Sequence, residues 1–169
     1  MSLLRKIGVG TQAGLLAGAV VATTFFLADV GRLEPLTTPM ALSGRFLGAT
    51  AKMLDDRILA DSFAIASFGA HLAAITLVHF LAFAVLGVFA VLICHAWQIP
   101  LNAVTGALFG LVAFSLVFYV ATWFTNAASP VNLPGPGTVL MVNVLAGAVM
   151  GGYCQLASRR AAGVGPSPL

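Results

Sequence analysis

Histidine is the residue type in this sequence with the widest range of chemistry, and it occurs as His71, His79 and His95. An imidazole can hold a haem, a chlorin pigment or a metal ion, and it can move a proton. His79 lies inside a long apolar tract, whereas His71 lies two helical turns nearer one end and His95 lies at the other end. Ionisable groups at such depth usually face protein and have a partner. His79 is therefore the candidate ligand for a chlorin pigment or a five-coordinate haem.

Two other interpretations of His79 are open, a bis-histidine haem and a histidine that ligates nothing. A bis-histidine haem needs two histidines at one level on different helices, so this chain would need a second copy of itself. A neutral His79 could instead hydrogen-bond a backbone carbonyl or a hydroxyl such as that of Thr76. The sequence contains no HExxH, GxSxG or phosphate-loop motif, and the neighbouring Asp55 and Asp56 would not face each other on a helix. We therefore expect no enzyme activity.

The helices that must position these residues can be predicted from a long tract of the sequence that contains no charged residue. From Ser62 to Ser158 there is no Asp, Glu, Lys or Arg, and 60% of the chain is hydrophobic. Because the bilayer core is about 30 Å thick, each spanning helix needs about 20 apolar residues. The sequence predicts an all-α integral membrane four-helix bundle, a single domain over residues 1–160, with helices at about 8–28, 70–94, 101–125 and 138–157. A helix beginning at Ser62 would exceed the core, so it either projects past the headgroups or breaks near Gly69.

The distribution of basic residues predicts the orientation. Arg5 and Lys6 precede the first predicted helix, Arg159 and Arg160 follow the fourth, and no acidic residue accompanies them. Cytoplasmic segments carry an excess of Lys and Arg, so we expect both termini to be cytoplasmic. The loop over residues 29–69 is then outside, and residues 37–39 predict the start of a short amphipathic helix within it. The tail at 161–169 is predicted to be flexible.

Small residues recur at four-residue spacing in three of the predicted helices. Lipid gives apolar helices no reason to associate, so contact depends on close backbone approach, which small residues permit. The interpretation we favour is packing within this bundle, and the alternative is that one ridge, on the first helix, docks another subunit. Asn143 within the fourth helix is predicted to add an interhelical hydrogen bond. The glycines concerned are Gly10, Gly14, Gly18, Gly106, Gly110, Gly147 and Gly151.

Two segments carry a resemblance to a known type of protein. They are Ala28-Asp29-Val30-Gly31-Arg32-Leu33-Glu34-Pro35-Leu36-Thr37-Thr38-Pro39 and Val78-His79-Phe80-Leu81-Ala82-Phe83. Together they resemble small four-helix bacterial inner-membrane proteins over about the first half of the chain. The resemblance implies four spans and the bacterial inner (cytoplasmic) membrane, and it implies no activity.

These features predict contact rather than catalysis. We expect an accessory subunit of a larger bioenergetic membrane complex, respiratory or photosynthetic, whose partners are the lipid bilayer and other integral membrane subunits. The eight basic residues form no stripe, so nucleic acid is not expected as a partner. One alternative is a subunit that binds a chlorin pigment or haem through His79, and a bound lipid is a further candidate cofactor. The other is a small oligomeric transporter or channel.

Overall fold

The computed structural model describes residues 2–33, Thr38, residues 62–124 and residues 135–161. Within these residues the chain is all-α, with four packed helices that are each long and apolar enough to cross a membrane. Helix α1 is Leu3–Gly31, α2 is Ser62–Ala96 and α4 is Pro136–Ala161. Helix α3 runs through three consecutive segments, Ala103–Phe109, the π-helical Gly110–Phe114, and Ser115–Phe124.

The helix ends differ from the predicted ones in two instructive places. Helix α2 is continuous through Gly69 instead of breaking there, so its first turns precede the apolar span that starts at that glycine. Helix α3 begins at Ala103 and not at residue 101, because the Asn102 side chain accepts hydrogen bonds from the backbone N–H groups of Val104 and Thr105. Such a cap satisfies donors that the first helical turn leaves open. The predicted amphipathic helix and residues 162–169 of the predicted tail lie outside the described residues.

The helices pair into two hairpins, α1 with α2 and α3 with α4, through glycine-to-backbone contact. A Cβ atom added at Gly87 would lie 2.7 Å from the Cα atom of Gly14, and closer still to the carbonyl oxygen of Gly10. In the second hairpin, a Cβ added at Gly147 would lie 2.8 Å from the Cα of Gly110. Real Cβ atoms do not approach so closely, so only glycine permits these crossings.

The two hairpins use the same register of glycines. Gly87 faces Gly10 and Gly14 in the first hairpin, as Gly147 faces Gly106 and Gly110 in the second. In this comparison of the two hairpins, α3 corresponds to α1 and α4 corresponds to α2. The small-residue ridge of α1 is thus occupied by α2, which leaves Gly10 and Gly14 inside the protein and not on a surface that could dock another subunit.

The hairpins join each other through α1 and α4. The seam between these helices is filled by side chains with no measurable exposure, namely Ala13 and Ala17 on α1 and Ala146 and Met150 on α4. Helix α2 therefore packs on α1, α1 on α4, and α4 on α3. Outward-facing apolar residues such as Leu77 and Val112 are exposed by 70% and 65%, as expected of a surface that lipid covers.

Candidate functional site

An apolar groove of about 470 Å³ is lined by residues of all four helices, most of them from α2, and lies beside the contact of α2 with α3. The side chains of Phe83 on α2 and Phe114 on α3 meet there, with ring centroids 4.8 Å apart in an edge-to-face arrangement. The groove extends from this contact towards the end of α1, where Phe25 and Phe26 form its side. Its size falls within the range of small-molecule sites, which are mostly apolar with a few polar groups.

His79 is one of those polar groups, and the fold has already engaged one of its nitrogens. The Nε2 atom lies 3.0 Å from the carbonyl oxygen of Gly18 on α1. Since a carbonyl only accepts, Nε2 carries the hydrogen and donates it, and a neutral ring then has Nδ1 as its acceptor. The imidazole also packs against Phe80 and Phe83, at centroid distances of 5.4 and 4.8 Å.

Gly18 explains why the ring can reach that carbonyl. A Cβ at this position would lie 3.2 Å from the Cβ of Phe83 and 3.3 Å from the ring of Phe80. The glycine therefore lets α2 bring three aromatic rings against α1. We predicted two possible hydrogen-bond partners for an unligated His79, a backbone carbonyl and the Thr76 hydroxyl. In the structure His79 bonds to a backbone carbonyl, that of Gly18. The Thr76 hydroxyl donates to the Leu72 carbonyl of its own helix, at 2.7 Å.

This arrangement bears directly on haem or pigment ligation by His79. The nitrogen that donates to Gly18 has no lone pair available for a metal, so ligation through Nε2 would require that hydrogen bond to break. His71 is also bonded within its own helix, with Nδ1 2.7 Å from the Ser67 carbonyl, and His95 is exposed. Among the described residues, no three His, Cys, Asp or Glu side chains come together to hold a metal ion.

Asn143 lies on the opposite side of the groove, at its inner wall. Its side-chain amide donates to the hydroxyl of Ser115 on α3 across 3.1 Å, and both residues are 5% exposed. Ser115 directly follows the π-helical segment, whose wider turn places Phe114 and Ser115 side by side in the interior. Such π segments are frequent at functional sites. The predicted interhelical hydrogen bond of Asn143 thus has a defined partner.

Asp29, near the end of α1, is hydrogen-bonded to the groove residue Thr38. Its carboxylate is 2% exposed and accepts two hydrogen bonds from Thr38, one from the backbone N–H at 2.7 Å and one from the hydroxyl at 2.8 Å. The two bonds compensate the carboxylate for its loss of water. They also fix Thr38, a lining residue, against the last turns of α1. The charge of Asp29 is thus used for structure beside the groove.

Sequence reasoning found His79 and Asn143 but missed the aromatic pair and the role of Asp29. Phe83 and Phe114 are two of 12 phenylalanines, and nothing in the sequence distinguishes them. The Asp29–Thr38 contact has no local signal either, because the two residues are nine positions apart in the sequence. The predicted glycines lie at the helix crossings and not at the groove, except Gly18.

The four helices and the groove define a multi-pass membrane protein built as a compact bundle. Against protein-family models, curated proteins and solved structures, the chain shows no match. Its function is therefore argued from the groove and the helix surfaces.

Proposed function

We propose that this protein is a non-enzymatic membrane protein that binds an apolar, chain-like lipid molecule in the groove beside the contact of α2 with α3. The observation that carries the proposal is a lipid-accessible groove of about 470 Å³, walled by aromatic rings and bordered by His79, Thr76 and Asn143. An apolar chain would fill the aromatic part. A polar end that donates a hydrogen bond, such as a hydroxyl, would find the acceptor Nδ1 of His79.

The size of the groove favours a chain over a helix from another protein. A helix with its side chains is about 10–12 Å across, so 470 Å³ corresponds to roughly one helical turn. Only the side chains of such a helix could enter. A haem or chlorin could bind only Nδ1 of His79, because the hydrogen bond to Gly18 occupies Nε2, so it would compete with the lipid for the same nitrogen.

Transport through the bundle is also less well supported. Backbones touch at the crossings of α1 with α2 and of α3 with α4, which leaves no space for an ion path along either seam. The seam between α1 and α4 is filled by buried apolar side chains.

An accessory role in a larger membrane assembly is the second part of the proposal. The glycine ridges are used within the chain, so the groove and the exposed apolar faces of the four helices are the surfaces available to neighbours. Both basic clusters lie at the end of the bundle that carries the termini. By the positive-inside rule we propose that this end is cytoplasmic. We further propose a bacterial inner membrane, on the resemblance described above, and a respiratory or photosynthetic complex as the neighbour.

Two tryptophan variants test lipid binding in a matched way. Val117 and Val120 lie on the same helix and are both 41% exposed, but only Val117 lines the groove. An indole at Val117 would compete for the groove, and overpacking of about 1–3 kcal/mol corresponds to about a fivefold or larger loss of bound lipid. Val120→Trp should retain the wild-type amount. The lipid is quantified by mass spectrometry of protein purified in mild detergent.

Equal lipid content in wild type, Val117→Trp and Val120→Trp would contradict the groove proposal. The accessory role has a separate test. Native electrophoresis of gently solubilised source membranes should show the protein migrating with larger subunits, and a single band of free protein would refute that part alone.

A further inference from the structure

A second, smaller cleft of about 250 Å³ lies at the opposite end of the bundle from the groove, between the first turns of α1 and the last turns of α4. Two guanidinium groups border it, Arg5 from α1 and Arg160 from α4. Gln12 and Tyr153 form its polar floor. The cleft thus brings together basic side chains from near the two ends of the chain.

The floor of the cleft is a preformed hydrogen-bond pair. The Tyr153 hydroxyl donates to the side-chain oxygen of Gln12, which ties α4 to α1 at this level. The Gln12 amide N–H₂ group then remains a donor, and the Tyr153 oxygen can still accept. A ligand that offers oxygens to guanidinium and amide donors would match this set of groups.

The charge around the cleft has no acidic counterpart among the described residues. Lys6 and Arg159 stand next to the two arginines, and the only described carboxylate side chain, Asp29, is at the other end of α1. That distance is about 36 Å along the helix at 1.5 Å per residue. Arg5 also lies in the first turn of α1, where the helix dipole disfavours a cation and favours an anion. An anion bound there would be stabilised by the arginines and by the N-terminus of α1, while the C-terminus of α4 acts in the opposite direction.

We infer that this cleft, formed by Arg5, Gln12, Tyr153 and Arg160, binds the phosphate of an anionic glycerophospholipid. One arginine guanidinium can donate two parallel hydrogen bonds to the oxygens of a phosphate. The remaining lining residues are apolar, and the partly exposed Leu156 continues the cleft towards the lipid-facing side of α4. A phosphate with acyl chains attached satisfies both halves of the cleft, whereas a free phosphate ion uses only the polar half.

The test titrates full-length protein in mild detergent with phosphatidylglycerol, phosphatidylcholine or inorganic phosphate, and follows binding by native mass spectrometry. The double variant Arg5→Gln/Arg160→Gln should lower the affinity for phosphatidylglycerol about tenfold or more, since each loses a charge-assisted bond to phosphate. The matched control Lys6→Gln/Arg159→Gln removes the same charge from residues that do not line the cleft, and should change the affinity less than about threefold.

Three results would overturn the inference. An equal loss of affinity in the two double variants would show a general attraction to basic charge. Equal binding of phosphatidylcholine would remove the role of net headgroup charge, and saturation by inorganic phosphate at the same concentrations would assign the cleft to a soluble ion. If the arginine variant does not fold, Tyr153→Phe decides, because it keeps all charges but loses the Gln12 bond; its unchanged affinity for phosphatidylglycerol would contradict the site.

Discussion

Two adjacent glycines on α4 allow a sharp test of the packing that forms the second hairpin. A Cβ added at Gly151 would lie 2.9 Å from the Cα of Gly106 and 2.8 Å from the carbonyl carbon of Asn102. A Cβ added at Gly152 would have no atom within 4 Å. The two positions share the same helix, sequence context and depth. Replacing each by alanine therefore separates crowding at the helix crossing from every other effect of the substitution.

The expected magnitude follows from these distances. The atoms that Gly151→Ala would meet belong to the backbone and cannot rotate away, so α3 and α4 must separate. Overpacking of a close interface costs about 1–3 kcal/mol, and a rigid backbone contact belongs to the upper part of that range. Alanine gains about 1 kcal/mol over glycine within a helix, and this gain is common to both variants. We expect Gly151→Ala to lose about 1–2 kcal/mol of unfolding free energy, and Gly152→Ala to gain up to about 1 kcal/mol.

The assay is equilibrium unfolding of the detergent-solubilised protein in increasing sodium dodecyl sulfate, followed by tryptophan fluorescence and far-ultraviolet circular dichroism. The quantity that matters is the difference between the two variants, about 2–3 kcal/mol, because helix propensity cancels in it. A difference near zero, or a Gly151→Ala protein more stable than Gly152→Ala, would refute the glycine contact between α3 and α4.

Two further predictions concern the polar contacts. In a double-mutant cycle of Asn143→Leu and Ser115→Ala, the coupling free energy should be about 0.6 kcal/mol, which is the average for interhelical hydrogen bonds in membranes. A coupling of zero would show that the 3.1 Å hydrogen bond between the two side chains does not contribute to stability. Asp29→Ala should speed hydrogen exchange of the Thr38 backbone amide, which donates to the carboxylate, while the buried amides of α4 keep their exchange rates. Exchange is measured by mass spectrometry, and an unchanged rate at Thr38 would contradict that hydrogen bond.

The four spans could be predicted from the sequence because the signal is global. A tract without charge between Ser62 and Ser158 has no alternative to repeated membrane crossing, since backbone amides in hydrocarbon must bond within helices. Glycine spacing also predicted close contact. It could not predict which helix covers which ridge, because every ridge with the same spacing is equally able to pair. The position of Gly87 between Gly10 and Gly14 is determined only when α1 and α2 pack against each other.

The groove could not be predicted because it depends on where helices fail to meet. Its walls are phenylalanines that read in the sequence as ordinary apolar residues. The π-helical turn at Gly110–Phe114 has no sequence signature either, and it decides that Phe114 and Ser115 both face inward. For His79 the sequence left two possibilities open, ligation of a cofactor and a hydrogen bond within the protein. The partner it has, the carbonyl of Gly18, is distant along the chain and became visible only in the packed hairpin.

The matching glycine registers explain why the groove lies where it does. Exchanging the hairpins would exchange α1 with α3 and α2 with α4, so the counterpart of the α1–α4 seam is the α2–α3 seam. The first seam is closed by small residues such as Ala13 and Ala17. In the second, α3 has Phe109 directly before its second glycine, at the position where α1 has Ala13.

This difference in side-chain size is the physical origin of the groove. The ring of Phe114 also meets Phe83 across the second seam, whereas α1 contributes only small side chains to the first seam. Because two interlocked rings resist closure, the opening is part of the packed structure and does not depend on a bound molecule to hold it open. A bundle of two similar hairpins thereby has one closed seam and one open seam, and the open seam is where we propose that lipid binds.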